Sequence, residues 1–309
     1  MRDAAPSQSL SRLLADQLTP AASTFEEPIN RVIFGIPVSY FKDPGDGQRW
    51  STWSSVVKGA HGPQPRPSWV ITSDAAIDTE LGILKTGKEA DVFLLERAVA
   101  GDPDQVSFLA AKRYRGREHR NFHRDSSYLQ GRTVRRSRDQ RAIENRTDYG
   151  LKAIAGQWAA AEFAALSQLW AAGIPVPYPV QVDGTEILME FIGSVGPHGA
   201  VAAPRLAQLR AEPEVLADYF EQVVASMRGL AAHGFAHGDL SAYNLLVDCG
   251  RIVLIDLPQV VDVVSNPNGA DFLRRDCVNV CTWFGQHGLA RDPDDLLGEL
   301  IGLLYRTGR

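Results

Sequence analysis

The apolar positions of the chain change their pattern at about residue 73, after a stretch rich in Pro, Ser and Gly. Two β-type apolar runs follow at 79–84 and 90–95, and the short segment 85–89 joins them. Two such runs separated by a few residues that include glycine predict a β-hairpin. A third apolar run at 108–114 continues the pattern. The sequence therefore predicts a strand-rich region in the first half of the chain.

Helical spacing of apolar residues begins later, at 158–166 and again at 216–227. Apolar side chains that recur every three to four positions indicate amphipathic helices. Gly173 and Pro175 end the first helix, because glycine is favoured just after a helix and proline restricts the residue before it. Apolar runs near 190 and 254 predict further strands. This mixture of elements and the chain length fit one two-lobed domain with an extension.

The composition is that of a soluble globular protein, with 44% hydrophobic and 22% charged residues among 309. The net charge of −5 argues against a general nucleic-acid-coating protein. Three cysteines are too few for a disulfide framework, and Cys277 and Cys281 are spaced like two small buried residues of one helix. The sequence shows no run long enough for a membrane span and no apolar core of a signal peptide. We therefore expect a reduced, cytoplasmic protein.

Candidate catalytic residues are concentrated in the stretch 237–246 and at the end of the apolar run that reaches Asp256. Asn244 follows Asp239 by five residues, and Asp256 comes twelve residues later. Phosphoryl transfer from a magnesium nucleotide needs a carboxylate that orients the attacking hydroxyl and hard oxygen ligands for the metal. Turn or capping roles would account for each residue singly. The delivery of Asp256 by a strand favours phosphoryl transfer over those roles.

The hairpin loop Thr86-Gly87-Lys88-Glu89 is a candidate cover for a triphosphate, because Gly87 permits close approach of backbone N–H groups. It lacks the spacing of a Walker A loop and the three glycines of the ordinary kinase loop. A plain β-turn is therefore an alternative for this segment.

Lys112 supports a phosphate-binding role for that loop. It ends an apolar strand, where an unpaired ammonium group would be costly. A kinase-like site uses such a lysine on the α- and β-phosphates and pairs it with a glutamate from the next helix. Glu162, inside the first predicted helix, is the candidate partner. If both groups were exposed, the pair would contribute less than about 1 kcal/mol and would carry little meaning.

The apolar strand near residue 190 is a candidate hinge for a nucleotide base. Met189 would lie at the back of an adenine pocket, and the main chain of Glu190 and Ile192 would face the base. A plain core role is an equal alternative for each of these side chains.

An insertion at about 115–149 separates Lys112 from the helix of Glu162. It contains ten arginines: Arg115, Arg117, Arg120, Arg124, Arg132, Arg135, Arg136, Arg138, Arg141 and Arg146. One-sided charge with few apolar residues favours a solvated surface segment. The functional alternative is a contact for an anionic partner, such as RNA or a phosphate-bearing protein.

Several motifs in a fixed order resemble those of the RIO family of atypical protein kinases, most closely its first subfamily. They are Thr86-Gly87-Lys88-Glu89-Ala90, Lys112, the basic insertion, Gly173-Ile174-Pro175 with Pro177, His237-Gly238-Asp239-Leu240-Ser241, Tyr243-Asn244, Ile255-Asp256 and Phe272-Leu273-Arg274-Arg275-Asp276-Cys277 with Asn279-Val280. The resemblance covers residues from about 73 to 287. It implies an α+β, two-lobed protein-kinase-like fold with a small β-rich N-lobe, a reduced helical C-lobe and no ordinary activation segment.

The resemblance also implies the site and its cofactors, ATP and Mg²⁺, with Mn²⁺ as a possible substitute. Asp239 would be the catalytic aspartate, Asn244 and Asp256 would hold the metal, and Lys112 with Glu162 would order the phosphates beneath the loop from Thr86 to Glu89. Further nucleotide contacts would come from Val92, Ala110, Leu246 and Ile255. The implied regions are an N-terminal extension (1–72), partly flexible, an N-lobe (73–193) containing the insertion, and a C-lobe (194–309).

Four functions compete on this basis. The first is a magnesium- and ATP-dependent protein serine/threonine kinase of RIO type, which would also phosphorylate itself. The second is a RIO-type ATPase that acts as a switch on an RNA–protein particle; in some members of the family the aspartate that matches Asp256 accepts the phosphate. The third is a small-molecule phosphotransferase of the aminoglycoside or choline kinase type, and the fourth is a non-catalytic binding module. The loop Thr86-Gly87-Lys88-Glu89 and the stretch Phe272-Leu273-Arg274-Arg275-Asp276 argue against the third function. The filled catalytic positions argue against the fourth.

Overall fold

The structure, a computed structural model, describes residues 32–33, 36–37, 44–115, 148–196, 199–257 and 260–307. Its strands are β1 (Val32–Ile33), β2 (Ile36–Pro37), β3 (Gln48–Trp50), β4 (Ala76–Thr86), β5 (Ala90–Val99), β6 (Asp102–Tyr114), β7 (Pro179–Asp183), β8 (Glu186–Glu190), β9 (Gly193–Gly196), β10 (Gly199–Ala202), β11 (Phe235–Ala236), β12 (Leu245–Asp248), β13 (Arg251–Leu254) and β14 (Val261–Asp262). Its helices are α1 (Asp148–Ala171), α2 (Pro213–Ala232), α3 (Gly269–Gln286) and α4 (Pro293–Thr307).

A six-stranded antiparallel sheet in the order β3-β4-β5-β6-β8-β7 forms the first lobe. The predicted apolar runs at 79–84, 90–95 and 108–114 lie in its three long strands, β4, β5 and β6. Helix α1 packs on one face of the sheet, where Phe163 and Ala159 contact Ile187 and Tyr114 in one buried cluster. The face that meets α1 is also the face from which Lys112 projects, because Lys112 contacts Glu162 of α1.

The opposite face of the sheet is covered by the segment 44–72. Trp53 from this segment packs in a buried cluster with Leu95, Leu109 and Tyr178. The segment contacts both edges of the sheet, because β3 pairs with β4 and the Gly62 N–H donates to the carbonyl of β7 residue Val180 at 3.0 Å. Burial of this second apolar layer makes the segment part of the folded lobe. The rest of the expected N-terminal extension lies mostly outside the described residues.

A buried ion pair lies among these apolar residues. The Arg97 guanidinium is fully buried and donates to both carboxylate oxygens of Asp78, at 2.6 and 2.9 Å. It also donates to Gln181, whose amide in turn donates to Thr52 at 2.8 Å. Buried charges are tolerated only when they are paired and hydrogen-bonded, and this network satisfies the charge while joining β4, β5, β7 and the covering segment.

The second lobe is mainly helical. Helices α2, α3 and α4 pack around a common core that includes Phe220 and Phe284, whose ring centroids are 5.2 Å apart. Cys277 and Cys281 are free and buried in this core, on the inner side of α3. The hairpin of β12 and β13 lies beside α2 and leads towards the cleft between the lobes. In the part of the chain that the structure describes, no helix combines the length and apolarity that crossing a bilayer would need.

Replacement of Arg97 by Met tests the buried ion pair. We expect Arg97→Met to reduce the free energy of unfolding by about 3–5 kcal/mol, because Asp78 would keep a buried charge without its main partner. The matched control is Arg228→Met, which removes an exposed pair with Glu299 and should cost less than about 1 kcal/mol. Urea titration followed by circular dichroism measures both. Equal losses in the two variants would contradict a stabilising role for the buried pair.

Candidate active site

The loop after β11 presents Asp239 at the cleft. Gly238 has a positive φ of 83°, a conformation that costs glycine little, and Asp239 next to it is exposed to solvent. The Asn244 side-chain amide donates to the main-chain oxygen of Asp239 at 2.9 Å. His237 is fully buried, and its Nε2 lies 3.1 Å from the carbonyl oxygen of Ile255, an acceptor that requires the proton on that nitrogen. The loop is thus anchored at both ends while its carboxylate stays accessible.

Asp276 of helix α3 supports this loop from below. Its carboxylate accepts the N–H groups of Gly238 and Leu240, each at 2.8 Å, and Asn279 donates to the Leu240 carbonyl at 3.1 Å. Arg275 donates to the carbonyl of Gly238. Burial raises the pKa of Asp276 above its ordinary value, although His237 and the two N–H groups oppose that rise. Asp276 belongs to a motif that carries the family resemblance, but our sequence analysis assigned it no role. Its one-turn spacing from Asn279 was the available signal.

Asp256 follows the strand β13 and enters the cleft from the second lobe. Its φ of 65° lies in the left-handed region, which costs most residues about 1–2 kcal/mol and which, apart from glycine, Asn and Asp tolerate best. The N–H of the preceding Ile255 donates to the Asn244 carbonyl at 3.0 Å. Because Asn244 bonds to the main chain of Asp239 and of Ile255, it holds the two acidic segments together.

Lys112 of β6 connects the lobes. Its ammonium donates to Glu162 Oε1 at 2.7 Å and to Asp256 Oδ1 at 2.8 Å. Glu162 is itself fully engaged, since it also accepts from the Tyr114 hydroxyl and from the N–H of Leu257 at 3.1 Å. Lys112 and Glu162 are both buried, whereas the Asp256 side chain is 39% exposed. The predicted pairing of Lys112 with Glu162 is therefore present, and Asp256 shares the same ammonium.

The charges of this group stabilise one another. Burial alone would lower the pKa of Lys112, but attraction to Glu162 and Asp256 outweighs it and leaves the pKa raised. Burial alone would raise the pKa of Asp256, but Lys112 outweighs it and leaves that pKa lowered. Burial, with Glu162 next, raises the pKa of the Tyr114 hydroxyl far above its ordinary value. At neutral pH the site therefore holds a charged lysine, an ionised Asp256 and a neutral tyrosine.

The loop between β4 and β5 forms the predicted hairpin. Gly87 donates its N–H to the Ala90 carbonyl at 3.0 Å, and a Cβ on Gly87 would lie 2.7 Å from that oxygen. Glycine is thus required by the close approach of the two strands. Thr86, Lys88 and Glu89 are exposed at the tip.

The arginine-rich insertion begins directly after β6. Arg115 is its first arginine and forms an ion pair with Asp91 across the β5–β6 hairpin, with Arg115 Nε 2.7 Å from Asp91 Oδ2. The remainder of the insertion, from 116 to 147, lies outside the described residues.

Apolar candidates for nucleotide contact share the sheet face of Lys112. Val92 is directly opposite Lys112 in the β5–β6 register, and Ala110 is opposite Met189 in the β6–β8 register. Residues opposite each other on neighbouring strands project to the same face, and residues two apart on one strand do so as well. The structure therefore brings these three apolar residues together beside Lys112.

The hinge candidates are arranged differently. The Glu190 carboxylate lies on the outer face of the sheet and accepts the Tyr178 N–H at 3.0 Å, while the Glu190 N–H donates to the Tyr178 carbonyl. The Glu190 N–H is therefore already used within the sheet. Ile192, two residues later, is half-buried. Leu246 in β12 and Ile255 beside Asp256 are half-buried in the second lobe.

A two-lobed fold in which a buried sheet lysine meets a helix glutamate and an aspartate of the other lobe defines a kinase-like phosphotransferase. A family model described as the RIO domain matches residues 102–296. The chain belongs to the RIO family of kinases.

Known proteins similar to the chain agree with this assignment. RIO-type serine/threonine-protein kinase Rio1 of Haloferax volcanii is 38% identical over 232 residues, covering 75% of this chain and 72% of the relative. Human serine/threonine-protein kinase RIO3 is 29% identical over 241 residues, covering 75% of this chain and 44% of the relative. The crystal structure of a Rio2 kinase–ADP/Mg²⁺–phosphoaspartate complex from Chaetomium thermophilum matches with a TM-score of 0.50 at 21% identity, covering 74% of this chain and 67% of that one, which supports the fold.

The family resemblance and the two-lobed α+β kinase-like fold predicted from the motifs are both confirmed. The chain is accordingly a RIO-type kinase. Family membership favours the two RIO-type functions over the small-molecule phosphotransferase and the non-catalytic binding module.

Loss of the Lys112 charge should change the titration of Asp256. In metal-free buffer we expect Lys112→Met to raise the pKa of the Asp256 carboxyl, because burial then acts without its main opposing cation. The stability that the wild-type pair contributes is present above the pKa of Asp256 in the unfolded chain and is lost as pH falls through its lower folded pKa. The variant should lack this acid-side loss.

Carbon-13 NMR of the carboxyl groups measures the titration. Lys58→Met, which removes a lysine exposed on the covering segment, serves as the control and should leave the Asp256 pKa unchanged. An unchanged pKa in Lys112→Met would contradict the electrostatic coupling described above.

Proposed function

We propose that this protein transfers the γ-phosphate of ATP, with Mg²⁺, to serine or threonine hydroxyls of proteins, including its own chain. The observation that carries the proposal is Lys112, buried between Glu162 and Asp256 with both contacts under 3 Å. A buried lysine held by two carboxylates from different lobes is suited to orienting phosphates at the point where the lobes meet. The relatives named above carry the serine/threonine kinase activity in their names.

The metal would be held by oxygen atoms of Asn244 and Asp256. Carboxylate and amide oxygens are hard ligands, and Mg²⁺ in kinase sites is bound through one or two protein groups together with substrate phosphates. The Asn244 nitrogen already donates to Asp239, so its oxygen is the atom left for a cation, and Asp256 is ionised and partly exposed. The residues therefore fit the metal, which when bound would neutralise charge on the phosphates.

Asp239 is the residue we assign to the acceptor hydroxyl. It is exposed beside the metal candidates, and its position is held by bonds from Asn244 and from Asp276 to the surrounding main chain. As a carboxylate it would accept the hydroxyl hydrogen bond and orient the oxygen towards the γ-phosphorus. Val92, Ala110 and Met189 would contact the base, and the loop from Thr86 to Glu89 would cover the phosphates.

A RIO-type ATPase is the second candidate, and the state of Asp256 is the observation that favours it. The carboxylate is ionised and partly exposed, as a nucleophile must be. In this reaction an Asp256 oxygen bonds to the γ-phosphorus while the bond to the β-phosphate oxygen breaks and ADP leaves. Water then cleaves the acyl phosphate and releases inorganic phosphate.

Incubation with γ-labelled ATP and Mg²⁺, with and without added cell-lysate protein, separates the two candidates. Label that is stable to hydroxylamine on serine or threonine of lysate proteins or of the chain itself supports the kinase. Label that hydroxylamine removes from the chain, with free phosphate accumulating, supports the ATPase. No transfer and no hydrolysis would contradict both.

Asp239→Asn tests the catalytic aspartate. We expect turnover to fall by roughly 10²–10⁴-fold, because the amide cannot accept the hydroxyl proton, while the dissociation constant for Mg·ATP changes little. The matched control, Asp104→Asn, changes an exposed aspartate at the far end of β6 and should leave turnover unaffected. Initial-rate kinetics and calorimetric nucleotide binding provide the readouts. Near wild-type turnover in Asp239→Asn would remove the role assigned to Asp239.

We also propose an anionic partner, RNA or a ribosomal particle, for the arginine-rich insertion, and a cytoplasmic location. The support is the sequence charge of the insertion and its position directly after the strand that carries Lys112. The cysteines at 249, 277 and 281 are unpaired, as is usual in a reducing compartment.

Neutralising four of the insertion's arginines tests the anionic partner. Changing Arg132, Arg135, Arg136 and Arg138 together to Gln should weaken binding of structured RNA or small ribosomal subunits and reduce the slope of log affinity against log salt. Arg228→Gln is the single-site control on a helix of the second lobe. Filter binding at several salt concentrations gives the slope, and an unchanged slope would favour the solvated-loop interpretation.

A further inference from the structure

Lys85 lies at the end of β4, in line with the site lysine. Lys85 is directly opposite Val92 in the β4–β5 register, and Val92 is directly opposite Lys112 in the β5–β6 register. Directly opposed residues project to the same face of a sheet. A row of three residues therefore crosses the sheet face that carries Lys112: Lys85, Val92 and Lys112. The sequence motifs assigned no role to Lys85.

The surroundings of Lys85 are charged. Its ammonium experiences attraction from Asp256 and repulsion from Arg205 and Lys112. Partial burial lowers its pKa, Asp256 raises it, and the two neighbouring cations lower it further. Among the described residues it forms no ion pair, in contrast to Lys112. The side chain therefore faces the site without a carboxylate in direct contact.

Arg205 approaches the same place from the other lobe. It donates to the main-chain oxygen of Tyr243, between Asp239 and Asn244, and forms a β-bridge with Leu246. Its guanidinium is thus fixed beside the loop that carries Asp239. Lys85 and Lys112 of the first lobe both interact with Asp256, and Arg205 of the second lobe interacts in turn with Lys85.

This excess of positive charge has two explanations. A lysine on a strand can serve only solubility, with its charge in open water. That role accounts poorly for Lys85, because the side chain, although exposed at the end of its strand, projects to the face of Lys112 and is repelled there by Lys112 and Arg205. A polyanion between the lobes would remove the repulsion and supply the missing counter-charge.

We propose that Lys85 is a nucleotide-binding residue that contacts the terminal phosphates of ATP, opposite Lys112. The proposal rests on the proposed function, because it assumes that the cleft binds ATP. The proximity of Asp256 and Arg205 places the contact at the β- and γ-phosphates and away from the base. Lys85 thereby favours the binding of a nucleoside triphosphate over that of a nucleoside. It contacts the phosphates from the exposed end of β4, while Lys112 contacts them from its buried position on β6.

Calorimetric titration of the full-length protein with Mg·ATP, Mg·ADP and adenosine tests the proposal. A hydrogen bond that involves charged groups contributes enough for Lys85→Met to weaken Mg·ATP binding about tenfold, equivalent to about 1.4 kcal/mol. We expect a smaller loss for Mg·ADP and no change for adenosine, which carries no phosphate. Lys85→Arg should restore most of the affinity for Mg·ATP. Lys58→Met, an equal charge change outside the cleft, should leave all three affinities as in wild type.

The outcomes distinguish the inference from the function on which it rests. Wild-type affinity of Lys85→Met for Mg·ATP would overturn the inference and leave the proposed function intact. A parallel loss for Mg·ATP and adenosine would also overturn it, because it would indicate a distorted pocket in place of a lost phosphate contact. If the unaltered protein binds neither Mg·ATP nor Mg·ADP, the proposed function fails, and the inference fails with it.

Discussion

The burial of the Lys112 ammonium is the constraint on which the structure of the site depends. A charged group away from water must be paired, and here the partners come from two directions, Glu162 on helix α1 and Asp256 from the second lobe. The same carboxylate of Glu162 also accepts from Tyr114 and from the main chain beside Asp256. Satisfying one ammonium group therefore fixes the helix on the sheet and fixes the two lobes relative to each other at the cleft.

The loop that carries Asp239 is positioned by a second buried group, Asp276. Among the described residues, the Asp276 carboxylate forms no ion pair. It accepts hydrogen bonds from the main-chain N–H groups of Gly238 and Leu240 instead. Burial makes that arrangement costly, as the raised pKa of Asp276 indicates. The cost is accepted because two N–H bonds define the path of the chain on either side of Asp239. The exposed Asp239 carboxylate is thus positioned by the buried carboxylate of Asp276.

In the first lobe, the sheet face opposite Lys112 is also packed and hydrogen-bonded. The long strands β4, β5 and β6 carry the hairpin tip 86–89 and, on one face, Lys112, so any distortion of the sheet would displace both. On the other face the segment 44–72 buries Trp53 against the sheet, and Arg97 is bonded to Asp78 and Gln181. The sheet that carries Lys112 is therefore packed on both faces, by helix α1 and by the segment 44–72.

The sequence by itself determined the strands and helices that carry the site, the order of the motifs and the family, because apolar periodicity and local spacing are properties of short stretches. It also indicated Glu162 as the partner of Lys112, from a rule about the helix that follows. Only the tertiary structure decided that Asp256 shares the ammonium across 144 positions of chain, that Asp276 lies under the loop, and that Glu190 directs its carboxylate away from the cleft. Strand register and lobe packing set these relations, and they bring together residues whose distance along the chain leaves no trace in any local pattern.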